Sequence, residues 1–523
     1  MRRGIRARHV LASGIVGGHV MLTDGEVVVE DSRIVAAGPR GLETVDEVIE
    51  LGDAILMPGL IDLDALTDID HTILDSWQSR ELGLGLQWSR EYATQRRRAV
   101  FDAEERAFIR EYGFVQLLLH GVTTAMPIAS EVHSDWAETY SDAVAMAESA
   151  QRLGLRVYLG PAYRSGVNVV DDDGSRSIYW NEELGLDGFE GAARFLEWAS
   201  AQDTDLVHGT LLPCRIETLS EDLLHRTAAL AAATGALVRL HALQGLHERA
   251  FVIERFGMSP LAVLERTGLL GPNLLIPHGI YIDSNPHVDA DTDDDLGTLA
   301  ASGASIVHCP LTSARHGSAL DSFDRYRAAG VRIALGTDSF PPDLVRGIDI
   351  GVTLAKVLAS RLDAATYGDY VSAATLGGAE ALHRPDLGTI AVGATADLVA
   401  FRLDDPRDGV LDDPIRTLCM NSTGRAADFS MVAGRITLRD GVIPGIDLPA
   451  MTRRAQSLFD RMRAAYTERD YLRRPAGELF PASFPAEPSI PRGDGVAPEH
   501  VSTPGGGVVS PAGGPSRRTP SRE

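Results

Sequence analysis

Two textures of hydrophobic patterning alternate along the chain. Over residues 5–57 apolar and polar positions alternate with a period of two. HVMLTDGEVVVEDSRIVAAGP (19–39) predicts short strands joined at DG and DS turns. From residue 58 apolar, β-branched strands are each followed by a longer stretch of helical period. LVHGTLLP (206–213) precedes SEDLLHRTAALAAATG (220–235), and ALVRLHAL (236–243) precedes a helix that ends before GPNLLIPHGIYID (271–283). GASIVHCP (303–310) pairs with LDSFDRYRAAG (320–330), and VRIALGTD (331–338) with a helix after PPD. After residue 384 the hairpin texture returns in GTIAVGATADLVAFRL (388–403) and FSMVAGRITLRDGV (429–442).

Strand–helix alternation over about 300 residues predicts an α/β fold with a parallel sheet covered by helices, and at this length a (β/α)8 TIM barrel. An open dinucleotide-binding sheet lacks its signature, because no G-x-G-x-x-G follows the first strand. Two β-rich segments bracketing the βα region predict one small composite β-sandwich built from both chain ends, 1–57 and 385–445. The barrel takes 58–384. Residues 446–473, which include MTRRAQSLFDRMRAAYTE, read as a C-terminal helix. Residues 474–523 are dense in Pro, Gly and Ser, too poor in apolar side chains to bury, and read as a disordered tail.

Composition narrows the chemistry. The chain has 523 residues, 44% hydrophobic and 23% charged, an ordinary globular balance. Its formal net charge of -24 repels phosphate backbones and anionic lipid, so neither nucleic acid nor a membrane is an expected partner. No apolar run approaches the ~18 residues of a membrane span, and the start does not read as a signal peptide. Cys214, Cys309 and Cys419 are too few and too scattered for a disulfide framework or a metal knuckle. The expectation is a cytoplasmic enzyme acting on a small-molecule substrate.

Several stretches carry a resemblance. They are GEVVVEDSRIVAAGP, ILMPGLIDLDAL, LLHGVTTAM, LVRLHALQG, LLIPHGIYID, SIVHCPLTSA, VRIALGTDS and LGTIAVGATADLVAF, in this order over roughly residues 20–445. Together they resemble the amidohydrolase superfamily, in its triazine/cytosine/guanine hydrolase (chlorohydrolase-like) branch. The resemblance implies a TIM barrel with a composite β-sandwich and one divalent metal ion, Zn or Fe/Mn. Family members commonly form dimers or larger assemblies, which implies a homo-oligomer by analogy.

Barrel enzymes build their sites at the C-terminal ends of strands. His241, His278 and Asp338 each fall at such an end, and they match the family's ligands on its fifth, sixth and eighth strands. Two imidazoles and a carboxylate with open positions for water suit hydrolytic metal chemistry. The family's first strand reads PG-x-I-D-x-H-x-H, with both His on one face. Here Asp64 and Leu66 occupy those two positions. The ligand set therefore becomes Asp64, His241, His278 and Asp338, and its extra oxygen favours Mn or Fe over Zn. Asp68, Asp70 and His71 are alternative replacements for the lost imidazole, or simply an acidic solvated loop.

The second departure is Gln244, where the family's H-x-x-E places an acid. An amide cannot deliver a proton at neutral pH, so expulsion of ammonia suffers more than expulsion of a stable anion such as chloride. The implied roles are Asp338 as proton acceptor, His278 as ligand or orienting group, and Gln244 as a substrate contact. Arg164, Cys214 and Trp88 are further candidates for substrate binding. Trp88 sits with Trp77 and Tyr92 in the long connection 67–105, where aromatics either stack on a flat ring or pack the loop.

The expected activity is hydrolysis of a non-peptide carbon–nitrogen (or carbon–halogen) bond of a nitrogen heterocycle. The alternative is a metal-free amidohydrolase-like barrel serving as a binding or regulatory protein. A covalent Cys or Ser hydrolase ranks third, because Cys309 lacks a partner pattern and no G-x-S-x-G is present.

Overall fold

Strands from both chain ends share one eight-stranded sheet. Its order is Arg435–Arg439, Ala427–Val432, Leu398–Arg402, Ala54–Pro58, Arg2–Ser13, His19–Glu30, Arg33–Pro39, with Glu47–Glu50 pairing Arg2–Ser13 from the side. The two ends meet where Leu398–Arg402 runs antiparallel to Ala54–Pro58, Leu398 facing Pro58 and Arg402 facing Ala54. Alternating Ile5, Ala7, Val27, Val29, Ile34, Leu56, Leu398 and Phe429 bury one core between them. The computed structural model describes residues 1–15, 17–69, 79–128, 135–290 and 294–484.

One predicted turn is not a turn. Asp24-Gly25 lies inside the continuous strand His19–Glu30, and the chain reverses at Asp31-Ser32 instead. Asp24 adopts φ 50, and the register is unchanged across it, with Ala7 opposite Gly25 and His9 opposite Thr23. Packing explains the glycine: a Cβ at Gly25 would meet Val10 Cγ2 at 2.8 Å. The hairpin after Val432 does turn tightly, with Ala433 (φ 47) and Gly434 (φ 78) both left-handed, as a two-residue hairpin loop requires.

Eight further strands form two four-stranded parallel sheets. β1 (Leu60–Leu66), β2 (Val122–Ile128), β3 (Arg156–Leu159) and β4 (Val207–Gly209) lie in the order β4-β3-β2-β1. β5 (Val238–Arg239), β6 (Leu274–Pro277), β7 (Ser305–His308) and β8 (Arg332–Leu335) lie in sequence order. Backbone hydrogen bonds cross between the two sheets at both edges. Arg239 N donates to Leu211 O (3.0 Å) beside β4 and β5, and Asp338 N donates to Asp64 O (2.8 Å) beside β8 and β1. The fold is thus α/β with parallel sheets, as the alternation predicts.

Local sequence explains the helices between strands. Glu221–Thr234 starts on Ser220, whose side chain accepts from Leu223 N, and stops at Gly235 with φ 73. Leu344–Ala359 starts on Asp343, and Ala103–Leu119 on a reciprocal Asp102–Glu105 capping box. The long helix Leu448–Arg469 buries Ala455, Leu458, Met462 and Tyr466 against Leu66, Tyr112 and Phe340, so it covers the C-terminal side of β1 and β8.

Composition placed the start of the tail at 474, and here packing overrides it. Ala476–Leu479 is helical, Leu479 and Phe480 are buried, and Arg474 is ion-paired with Asp470 at 2.7 Å. Two large apolar side chains suffice to anchor a Pro/Gly-rich segment once a helix offers them a groove. Met1–Pro481 is one compact unit. Residues 485–523 of the predicted tail lie outside the described residues. Among the described residues no helix is long and apolar enough to cross a membrane.

Candidate metal centre

Asp64 projects from β1, His241 follows β5 by two residues, His278 follows β6 directly, and Asp338 lies three residues beyond β8. All four are buried. Ligand atoms of Asp64, His241 and His278 lie within 4.8 Å of one another. His241 Nε2 is 3.5 Å from Asp64 Oδ2, and His278 Nε2 is 3.5 Å from Asp338 Oδ2. His241 Nδ1 lies 3.2 Å from the Cys214 carbonyl oxygen. That contact fixes the orientation of the ring, with Nε2 on the side of Asp64.

The backbone around these residues is unusual. Leu243 (φ 60), His278 (φ 67) and Asp338 (φ 38) are non-glycine residues in the left-handed region, each costing on the order of 1–3 kcal/mol. Flanking bonds impose the bends: His278 N donates to Val307 O at 2.8 Å, and Leu243 N to the Glu248 carboxylate at 2.6 Å. Gly336 is needed for a different reason. A Cβ there would stand 2.6 Å from Asp64 Cβ and 3.0 Å from Cys309 Sγ. Gly336→Ala is expected to push Asp64 out of line and to weaken metal binding by at least about tenfold, on the scale of supporting-residue losses; chelator competition reads this directly.

Burial and neighbouring charge set the protonation states. Burial by itself raises the Asp64 carboxyl, but His241, Arg239 and His278 outweigh it and hold it at about 2. Burial, with His241 adding to it, pushes His278 well below its ordinary value. At neutral pH Asp64 is therefore ionised and His278 has a lone pair to give. Burial and the Asp64 charge raise Asp338 well above a normal carboxyl. Burial, then Asp64, also raises the Cys309 thiol. Its Sγ lies 3.6 Å from Asp64 Oδ2, and it is a thiol rather than a nucleophile.

The donor set fits a divalent cation. Asp64 Oδ1 and His278 Nε2 are buried and make no hydrogen bond among the described residues, and buried donor atoms of this kind are satisfied by a metal. The position of the family's second first-strand His is occupied by Leu66, which faces Tyr112 and Phe340 in an apolar cluster. Asp68 does not replace it, since it is buried against Arg110 Nη1 at 3.3 Å. Asp70, His71 and Trp77 lie outside the described residues.

Sequence reasoning missed four residues. Arg239 is buried two positions before His241, on the same strand face, with Nε 3.5 Å from Asp64 Oδ1 and Nη1 donating to Met126 O (2.9 Å) and Pro127 O (3.0 Å). Asp62, two positions before Asp64, accepts from Thr337 N (3.0 Å) and Thr337 Oγ1 (2.6 Å), locking β1 to the end of β8. The i, i+2 spacing was the available signal for both. Arg215 Nη1 donates to Gln244 Oε1. Glu248, pushed up to about 8 by burial and by Glu217, holds the backbone of Leu243 and Gln244.

The candidate substrate contacts divide. Gln244 is half-buried beside the centre. Cys214 reaches it through its backbone carbonyl, while its side chain is buried against Ala162. Trp88 and Arg164 are 2% and 1% exposed. The Arg164 guanidinium lies between Trp88 (5.3 Å) and Trp136 (5.4 Å), and Trp88 packs edge-on to Tyr92. These side chains serve an aromatic cluster that pins the long connection after β1.

Comparison with known proteins agrees with this geometry. The amidohydrolase family model matches residues 55–457. The chain is 26% identical to a 5-methylthioadenosine/S-adenosylhomocysteine deaminase of Pyrococcus abyssi, across 84% of this chain and 95% of that protein. It is 26% identical to an 8-oxoguanine deaminase of Pseudomonas aeruginosa, across 82% and 93%. Among solved structures, a zinc-bound adenosine deaminase from Xanthomonas campestris superposes with TM-score 0.70 at 22% identity, across 88% of this chain and 98% of that one. A zinc-complexed atrazine chlorohydrolase from Arthrobacter aurescens gives TM-score 0.69 at 19% identity, across 87% and 100%. The chain therefore belongs to the amidohydrolase family and is an amidohydrolase-type hydrolase.

Proposed function

We propose that this protein is a metal-dependent hydrolase of a carbon–nitrogen, or carbon–halogen, bond in a nitrogen heterocycle. The observation that carries the reading is the convergence of Asp64, His241 and His278 donor atoms within 4.8 Å at three strand ends, with buried donor atoms left unsatisfied. In this reading the two parallel sheets close into a (β/α)8 barrel over residues 58–384. Segments 1–57 and 385–445 form a composite sandwich at its side, and assembly into a homo-oligomer follows the family.

Asp64, His241 and His278 would hold the cation, with Asp338 beside His278. A divalent cation there supplies the Lewis acidity that makes water a nucleophile at neutral pH. The chain's own groups do the rest. Asp338 accepts the proton from the attacking water and passes it toward the leaving group. His241, fixed by the Cys214 carbonyl, and His278, fixed by its bent backbone, keep their lone pairs turned inward. Gln244 orients the ring without protonating it, which favours leaving groups that depart as anions over ammonia.

The test is metal analysis of the purified full-length protein, followed by a screen of aminated and halogenated heterocycles. Near one equivalent of transition metal, with hydrolysis abolished by chelation and restored by the metal, is the expected outcome. A second reading, a metal-free binding barrel, is favoured by Arg239, whose guanidinium sits beside Asp64 where a cation would draw near. A fold that takes up no zinc, iron or manganese at millimolar concentration and shows no hydrolysis would select it.

A further inference from the structure

We propose that Arg469 is the centre of a buried binding site for a small monovalent anion of halide size, which clamps the C-terminal helix to the connection after β1. Arg469 is the last residue of the helix Leu448–Arg469 and is 1% exposed. Its Nε, Nη1 and Nη2 are all buried and make no hydrogen bond among the described residues. The guanidinium rests instead on two aromatic rings, 5.6 Å from the Tyr92 centroid and 5.7 Å from that of Tyr466. Among the described buried arginines it is alone in this. Arg110, Arg156, Arg239, Arg249 and Arg474 each meet a carboxylate, and Arg164 gives a hydrogen bond to Trp136 O.

The charges next to Arg469 leave it unmatched. Glu468 pairs with Arg98 at 2.8 Å and Asp470 with Arg474 at 2.7 Å. Glu91, beside Tyr92, is shared by Arg96 (3.1 Å) and Arg473 (2.6 Å). Arg96 also lies over the Tyr92 ring, 5.8 Å from its centroid, and its own Nε is buried without a hydrogen bond among the described residues. The Tyr92 hydroxyl is engaged by the Arg98 backbone, donating to O at 3.1 Å and accepting from N at 3.4 Å, and a phenol carries no charge at neutral pH. A guanidinium cannot shed its proton there, so its burial is not relieved by neutralisation. Aromatic faces return part of the lost hydration. Five N–H donors closed off from water still require an acceptor that carries charge. A halide suits such a site better than a bulky oxyanion or organic acid, because it is compact and Arg469 has almost no opening to solvent. Bound there, it ties the helix end to the segment holding Tyr92, which packs with Trp88 and Trp136.

Thermal unfolding of the full chain in sodium chloride and in sodium gluconate at equal ionic strength tests this, gluconate being too bulky for a closed site. Wild type is expected to unfold at a higher temperature in chloride, with a rise that follows the filling of one site. Arg469→Met keeps most of the side-chain volume without the charge and should weaken chloride affinity at least about tenfold. Arg226→Met, at an exposed arginine on the helix Glu221–Thr234, should keep the wild-type response. Bromide soaked into wild-type crystals supplies the readout if Arg469→Met fails to fold, and an anomalous peak in contact with the Arg469 guanidinium is the expected result. Equal unfolding temperatures of wild type in the two salts, an undiminished chloride response in Arg469→Met, or bromide absent from Arg469 each overturn the site.

Discussion

His241→Ala is expected to strip the protein of its cation while leaving it folded. Changes to the groups that hydrogen-bond and orient metal ligands cost roughly 10–100-fold in affinity, and removal of a ligand itself should exceed that. A more than about 100-fold rise in the metal dissociation constant is the expected result, measured by chelator competition. Folding gives a second readout. A ligand present at about 1,000 times its Kd stabilises the native state by about 4 kcal/mol, so zinc should raise the wild-type unfolding temperature. His241→Ala should show no such shift. The comparison isolates the metal because the His241 side chain makes one other polar contact among the described residues besides Asp64, to the Cys214 carbonyl. Its ring otherwise faces His278 at a centroid distance of 5.5 Å. If His241→Ala binds metal as well as wild type does, the three donors are not its ligands.

Asp397→Ala should cause the larger loss of stability. Arg156, at the start of β3, is fully buried and gives Asp397 two hydrogen bonds, Nε to Oδ2 and Nη2 to Oδ1, both 3.1 Å. Asp397 immediately precedes the strand Leu398–Arg402, and its Oδ1 also accepts from Ala433 N at 2.7 Å. One carboxylate thus ties the parallel sheet to the sheet built from both chain ends. Removing it leaves a buried guanidinium whose remaining carboxylate, Asp205, is half-exposed. Breaking a buried pair from one side costs about 3–5 kcal/mol, which urea unfolding of the single variant should report. The double variant Arg156→Met with Asp397→Leu should cost distinctly less, because it leaves no stranded charge. Equal losses in the two variants would show that the ion pair is not the source.

Much of the chain was legible because its information is local. Ser220 and Gly235 bracket a helix in sequence and in structure, since capping is settled within a few residues. The α/β alternation was readable for the same reason, as was the placement of His241, His278 and Asp338 after strands. The Asp24-Gly25 dipeptide misled because the need for glycine arises from Val10, on a neighbouring strand. The 474 boundary misled because Leu479 and Phe480 are buried in an apolar cluster with Leu66, Tyr112 and Tyr466, surroundings that local composition does not show. Trp88 and Arg164 have the chemistry of ligand contacts, and only packing shows that each is occupied with the other.

What the amino-acid sequence determined alone was the order of strands and helices, the family pattern, and which side chains have ligating or acidic chemistry. Tertiary structure alone decided that Asp64 faces two imidazoles while Leu66, two residues on, faces an apolar cluster. It also decided that Arg239 neutralises that aspartate and that Arg215 donates to Gln244. The physical reason is range. Periodicity and capping act over one or two turns of chain, whereas charge and hydrogen bonding inside a buried site depend on which distant strands the fold brings within about 4 Å, where low polarity makes each such contact count.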